Sequence, residues 1–244
     1  MSKRKLRASV IGAAVVVAAA AFTQPSAVAE PDLLQQQIDE VLAKTEGGVQ
    51  ISKNEIAWDG GAAILAFPLT GETQAPPSSP AARRLQAKQA GISLKEAEKA
   101  EDRGDRGPSA AVNATDADPE GEAVDESLPN GEVEPTADAT VVDTCPTETF
   151  GNDWYCFYQY KNLKGRRLSW NAAHRDKVYF SYYDFGNRTS SWSNRGGKSI
   201  YVWGRSRAGD DTSCNRHLWK EDDHTRSLSL PSSLDNRADC FYTS

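Results

Sequence analysis

Apolar residues are spread unevenly along the 244-residue chain, and their spacing divides it into four unlike stretches. The first has a basic start (Lys3, Arg4, Lys5, Arg7), an apolar run over 10–22 and small residues at Ala27-Val28-Ala29. This order predicts a secretory signal over 1–29, cleaved after Ala29. The alternative is a single membrane anchor, but the Ala-rich run is shorter than the roughly 20 residues that a spanning helix needs. In the second stretch, 30–72, Leu34, Ile38, Val41 and Leu42 share one helical face behind Asp32, with Gln35 placed to complete a capping box. Val49 and Ile51 then alternate with polar residues, and apolar runs at 56–58 and 62–67 flank Asp59-Gly60-Gly61, which predicts a hairpin. A helix-plus-hairpin leader of this size has a marginal core of its own. A pro-segment, a docking element and a partly ordered leader all fit it.

The third stretch, 73–143, has no aromatic residue and opens on Pro76-Pro77-Ser78-Ser79-Pro80. It is rich in Ala, Glu, Asp, Gly and Pro, which predicts a disordered acidic spacer. Within it, Ser93 and Glu96 form a capping-box pair for a short exposed helix. The fourth stretch, 144–244, contains 18 of the chain's 21 aromatic residues, all four cysteines and all three histidines. Its short runs rich in Tyr, Trp, Phe, Val and Ile lack a 3.6-residue period and are broken by Asn, Asp and Gly. They predict strands at 155–160, 167–170, 178–182, 199–203, 217–219, 228–230 and 240–242. The expectation is an all-β C-terminal domain, a small sandwich or barrel.

Composition sharpens this division. The chain's net charge of −6 averages a segment 101–143 with thirteen acids against two arginines, and a segment 144–244 with fifteen basic residues against eleven acids. The basic residues are interspersed with acids, so no nucleic-acid footprint is expected. An even number of cysteines in a small exported domain points to disulfides. Three connectivities are open. The local pairing is favoured, Cys145 with Cys156 across a turn-rich segment and Cys214 with Cys240.

The domain also repeats itself. Cys156-Phe157-Tyr158 through Gly186-Asn187-Arg188-Thr189-Ser190-Ser191-Trp192 is echoed by Tyr201-Val202-Trp203 through Asp235-Asn236-Arg237-Ala238-Asp239-Cys240-Phe241. The offset is 45 residues at the start and 49 at the end. Two antiparallel copies, each too small to close a core alone, are expected to pack face to face as paired Greek keys.

The repeat, together with Cys145-Pro146, Trp154 to Tyr158, Lys161-Asn162-Leu163-Lys164-Gly165-Arg166-Arg167-Leu168 and Phe185 to Asn194, resembles the βγ-crystallin fold. It is more closely similar to the secreted actinobacterial peptidase inhibitors of the metalloproteinase-inhibitor type. Leu163 stands where that family has an aromatic residue, Trp170-Asn171-Ala172-Ala173 where it often has a cysteine, and Ala208-Gly209-Asp210-Asp211 where the second corner would be. The resemblance implies a double Greek-key sandwich that inhibits an extracellular peptidase.

The fold family's calcium motif has counterparts at Asn187 and Ser190 and at Asp235 and Asp239, although Gly186 and Cys240 replace ligands. The same side chains suit hydrogen bonding at a corner between strands, so the expectation is corner bonding with at best weak calcium binding and no required cofactor. An inhibitor needs an exposed, braced loop, and the best candidate runs through Gly204, Arg205, Ser206, Arg207, Gly209, Asp210, Asp211, Cys214 and Asn215. An ordinary variable loop is the equal alternative.

No HExxH, Gly-x-Ser-x-Gly, P-loop or dinucleotide motif occurs, so no enzyme is expected. His217 and His224 near Asp222 and Asp223 read as a polar turn before a divalent site. Trp154, Trp170, Trp192 and Trp203 are expected in the core, with Trp219 the least committed. The expected partner of this secreted monomer is a peptidase, with no nucleic acid and no stable membrane anchor. A structural or calcium-responsive module and a cell-wall polysaccharide binder are the alternatives.

Overall fold

In the computed structural model, residues 32–96, 141–146, 154–171, 176–205 and 214–244 are described. They belong to one compact unit, Asp32–Ser244. The expected signal over 1–29 and residues 97–140 of the expected spacer lie outside them.

Asp32 caps helix α1 (Leu33–Lys44) by accepting from the Leu34 and Gln35 amides at 3.0 and 3.4 Å. The Gln35 side chain does not close a capping box; it donates to Asp39 and to Gln50 instead. Strands β1 (Val49–Ser52), β2 (Glu55–Trp58) and β3 (Ala63–Ala66) follow as an antiparallel meander, with a 3-10 turn at Asp59–Gly61. The leader does not stop there. β3 pairs with β5 (Lys164–Trp170) through Ala63↔Trp170, Ile64↔Ser169, Leu65↔Leu168 and Ala66↔Arg167.

The remaining strands are β4 (Tyr155–Tyr160), β6 (Val178–Tyr179), β7 (Ser191–Asn194), β8 (Ile200–Arg205), β9 (Cys214–Glu221), β10 (Arg226–Ser227) and β11 (Cys240–Thr243). One sheet has the order β1-β2-β3-β5-β4-β7-β10, the other β6-β11-β8-β9. Each repeat therefore gives three strands to one sheet and its third, β6 or β10, to the opposite one. The two sheets form a double Greek-key sandwich.

Backbone hydrogen bonds reproduce the repeat in space. The Asn187 amide donates to the Ala238 carbonyl as Asn236 does to Thr189, both at 2.9 Å. Phe180 donates to Asp239 as Leu230 does to Ser190, again both at 2.9 Å. Asn187 and Asn236 have φ of 55° and 57°, the left-handed conformation that asparagine tolerates better than most residues. Between the sheets, the Phe241 ring meets Tyr155, Phe157, Trp170 and Phe180 at centroid distances of 4.7–5.6 Å. Burying each such ring contributes about 2–3 kcal/mol relative to exposure.

Three strand expectations need correction. The strand from Val178 ends at Tyr179, where a 3-10 turn over Phe180–Tyr183 turns the Phe180 ring into the core. Leu228 to Leu230 is not a strand: pairing stops at Ser227, because the chain turns there to put Leu230 against the Ser190 corner. The polar strand β7 had no apolar signature, yet all four of its residues are buried.

The stretch read as a spacer from 73 holds ordered structure. The Gly165 amide donates to the Thr73 carbonyl, and helix α2 (Pro80–Ala90) starts at Ser79, which caps Ala82, with Pro80 at its first position. Ala82 and Leu85 of α2 cover Ala57, Ile64 and Trp154 on the outer face of the large sheet. Ser93 and Glu96 form the expected reciprocal capping box.

Gly165, with φ 76°, sits where an added Cβ would lie 2.7 Å from the Tyr160 ring. G165A is expected to destabilise the chain by about 1–3 kcal/mol, read as a lower denaturation midpoint. An unchanged midpoint would contradict the packing of this corner.

Burial lifts the Glu221 carboxyl well above its ordinary value of 4.5, opposed only by the Trp219 indole N–H at 3.0 Å. The folded chain keeps this proton while the unfolded chain releases it. Its contribution to stability is therefore whole below about pH 4.5 and is lost as pH rises toward the folded-state value. E221Q is expected to flatten the fall of the urea midpoint as pH rises above about 4.5 and to raise stability at neutral pH. The same slope in both proteins would refute a protonated Glu221.

Candidate functional site

The β8–β9 connection is built on an anchored base. Cys214, the first residue of β9, is disulfide-bonded to Cys240 in β11, while Cys145 is bonded to Cys156. Both are the favoured local pairs. At the other end of the connection, Arg205 donates through its backbone amide to Asp239 Oδ2 at 2.9 Å and through Nε to Oδ1 at 3.2 Å. Gly204 brings β8 close to the second corner, since a Cβ there would lie 2.7 Å from the Arg237 carbonyl oxygen. Lys177 Nζ caps the Cys214 carbonyl. Asn215 is exposed just beyond the cystine; Ser206, Arg207, Gly209, Asp210 and Asp211 lie outside the described residues.

The four residues considered for calcium fall into the two equivalent corners. Asn187 and Asp239 meet: Asn187 Nδ2 donates to Asp239 Oδ1 at 2.9 Å. The cation beside that carboxylate is Arg205, whose two bonds occupy both oxygens. Ser190 is buried and bonds through its backbone amide to the Tyr158 carbonyl, and through its own carbonyl to the Leu230 amide. The Asp235 amide closes a turn on Pro231. Among the described residues no group of three or more His, Cys, Asp and Glu gathers as a metal would require.

Alternation along β8 places Val202 inward and Tyr201 and Trp203 on the outer face of the small sheet. Tyr201 and Tyr242 stack at 5.0 Å and 9°, and Trp203 continues the row at 6.2 Å and 29°. Lys220 Nζ lies 5.9 Å from the Tyr201 ring and Lys177 Nζ 5.0 Å from Trp203, so both ends of the row are covered by cations. The Asp222 carboxylate at 2.6 Å holds the Lys220 ammonium above its ordinary value. His217 packs edge-on against Trp203 at 5.1 Å, a partner unrelated to His224, Asp222 or Asp223. The core expectation for Trp203 is thus corrected. Trp219 takes the inward position, 4% exposed, because its indole N–H serves Glu221. The ring faces of this row are thus turned to one another and to lysines.

Asp143 was missed from sequence, since one acid among many in an acidic stretch carries no signal. It accepts from the Cys145 amide (2.9 Å), Tyr158 hydroxyl (3.1 Å), Ser193 hydroxyl (2.6 Å) and Arg195 guanidinium (3.2 Å). Burial, and then the Asp143 charge, pushes the Tyr158 phenol well up. Asp143 is a structural hub that holds segment 141–146 over the large sheet.

No family model matches the chain, and no curated protein does. A chain from a solved structure described as "Evolution of the eye lens beta-gamma-crystallin domain fold" is similar at a TM-score of 0.33 and 12% identity, over 42% of this chain and 92% of that one. A similarity at this level carries no functional argument. By its exchanged third strands and reciprocal corners, the chain is a disulfide-bonded double Greek-key sandwich of the βγ-crystallin type.

With Arg205 on Asp239, millimolar calcium is expected to raise the melting temperature by less than about 2 °C. R205Q, which uncovers the carboxylate, is expected to increase the response. A rise of more than about 5 °C in the unaltered chain, or no gain in R205Q, would exclude this competition.

Proposed function

We propose that the chain is a secreted inhibitor of an extracellular peptidase, a thermolysin-like metalloprotease, presenting the β8–β9 connection as a rigid substrate-like loop. The observation that carries this reading is the anchoring of both loop ends to one central strand region, by the Cys214–Cys240 disulfide and the Arg205–Asp239 pair. A loop held this way loses little conformational entropy on entering a protease cleft, and the ordering cost is about 0.5–1.5 kcal/mol for each side chain otherwise immobilised. Two disulfides suit an oxidising extracellular setting. No helix among the described residues is long and apolar enough to cross a membrane.

Titration of the signal-free chain against a thermolysin-like enzyme is expected to give inhibition at micromolar concentration or below, and its absence there would sink the proposal. The paired C214S/C240S variant is expected to lose at least about tenfold in affinity, against a smaller loss for C145S/C156S on the other sheet. Each pair also costs about 2–4 kcal/mol of stability, so both are compared well below their melting transitions. Equal losses would show that the brace has no special part in binding.

A further inference from the structure

The two sheets treat their corresponding edges in opposite ways. β5 and β9 occupy equivalent places, each beside the first strand of its repeat. Among the described residues β9 has no strand on its outer side, and it has the features that keep an edge from pairing: two irregularities in register and exposed Arg216, His217 and Lys220. β5 is covered instead: beyond exposed Lys164, its outer side is occupied. Every residue from Gly165 to Trp170 is buried, and β3 lies along it in an unbroken four-pair ladder.

Further contacts extend the ladder at both ends. The Asn171 amide donates to the Ala62 carbonyl, the Ala75 amide to Gly165, Ser169 Oγ to Ile64 and Arg167 Nη1 to Pro76. Gln74 Nε2 donates to the carbonyls of Val142 and Leu163, joining the incoming and outgoing ends of the acidic segment. Ile38, Ile56, Trp58, Leu65 and Phe67 share one core with Phe157 and Trp170. Yet no disulfide connects 32–96 to the rest, since all four cysteines are paired within 145–240.

We propose that residues 32–96 are a permanent non-covalent subunit of the sandwich: β5 is a strand-acceptor edge whose resident donor is β3, and an endopeptidase cutting within 97–140 produces a two-piece molecule that stays assembled. The cut adds one water across a peptide C–N bond and leaves a carboxylate on the first piece and an ammonium on the second. It touches none of the contacts above. Its energetic effect is the loss of the linkage's effective concentration, which makes stability depend on protein concentration.

The test uses the signal-free chain and a glutamate-specific endopeptidase, for which 97–140 offers glutamates between 98 and 134. On native size exclusion the two pieces are expected to elute together at the position of the uncut chain, to separate in denaturant without reductant, and to dissociate with a constant below about 1 µM. Melting should fall by only a few degrees and rise with concentration. Separation on the native column, leaving a folded monomeric C-terminal piece, would overturn the proposal. Hydrogen exchange on the uncut chain provides a second arm. The β3 amides should be protected as strongly as those of β5, and exchange at the unfolded rate would overturn the proposal even if no cut were made. Neither arm reads inhibition, so this inference and the peptidase-inhibitor reading can fail separately.

Discussion

The structure depends on the exchange of β6 and β10 between the two sheets. Neither repeat can close alone, because its third strand completes the other repeat's sheet and its corner carbonyls are bonded by the other repeat's amides. Backbone groups taken out of water must be paired, and in each corner the pairing residue lies about 50 positions away. The Phe241 ring sits amid this exchange, which explains why so few residues hold so dense a group of aromatics.

A second constraint acts on the outer face of the large sheet. Arg167 and Glu55 are 0% and 1% exposed there, and charged groups so placed need partners. Burial lowers the Arg167 pKa, and its partners are the Pro76 and Thr144 carbonyls; Glu55 accepts from Ser79 and Ser52. Apart from Ser52, which belongs to β1, those partners come from the segments flanking 97–140. What reads as a linker between a leader and a domain therefore begins and ends as a pair of straps over one sheet.

The inhibitor reading and the strand-acceptor reading use opposite sides of the sandwich. The braced connection leaves the small sheet beside its cystine, and the leader closes the large sheet at its far edge. The aromatic row on the small sheet is covered by lysines at both ends.

Much was legible in the chain itself. The apolar period of α1, the alternation of β4 and β8, the repeat offset and the pairing of cysteines close in sequence all follow from local spacing, where side-chain period and chain entropy act directly. β7 was illegible because three of the four residues in Ser-Trp-Ser-Asn are polar and are buried only by what surrounds them. The cap of α2 was present at Ser79 and Pro80, but an acidic, aromatic-free setting masked it. Two matters needed the tertiary structure: whether Trp203 or Trp219 faces the core, which a shift in the β8–β9 register decides, and whether residues 32–96 stand apart or complete the sandwich. Both depend on pairings between distant segments, and no local pattern encodes which edge a strand will find.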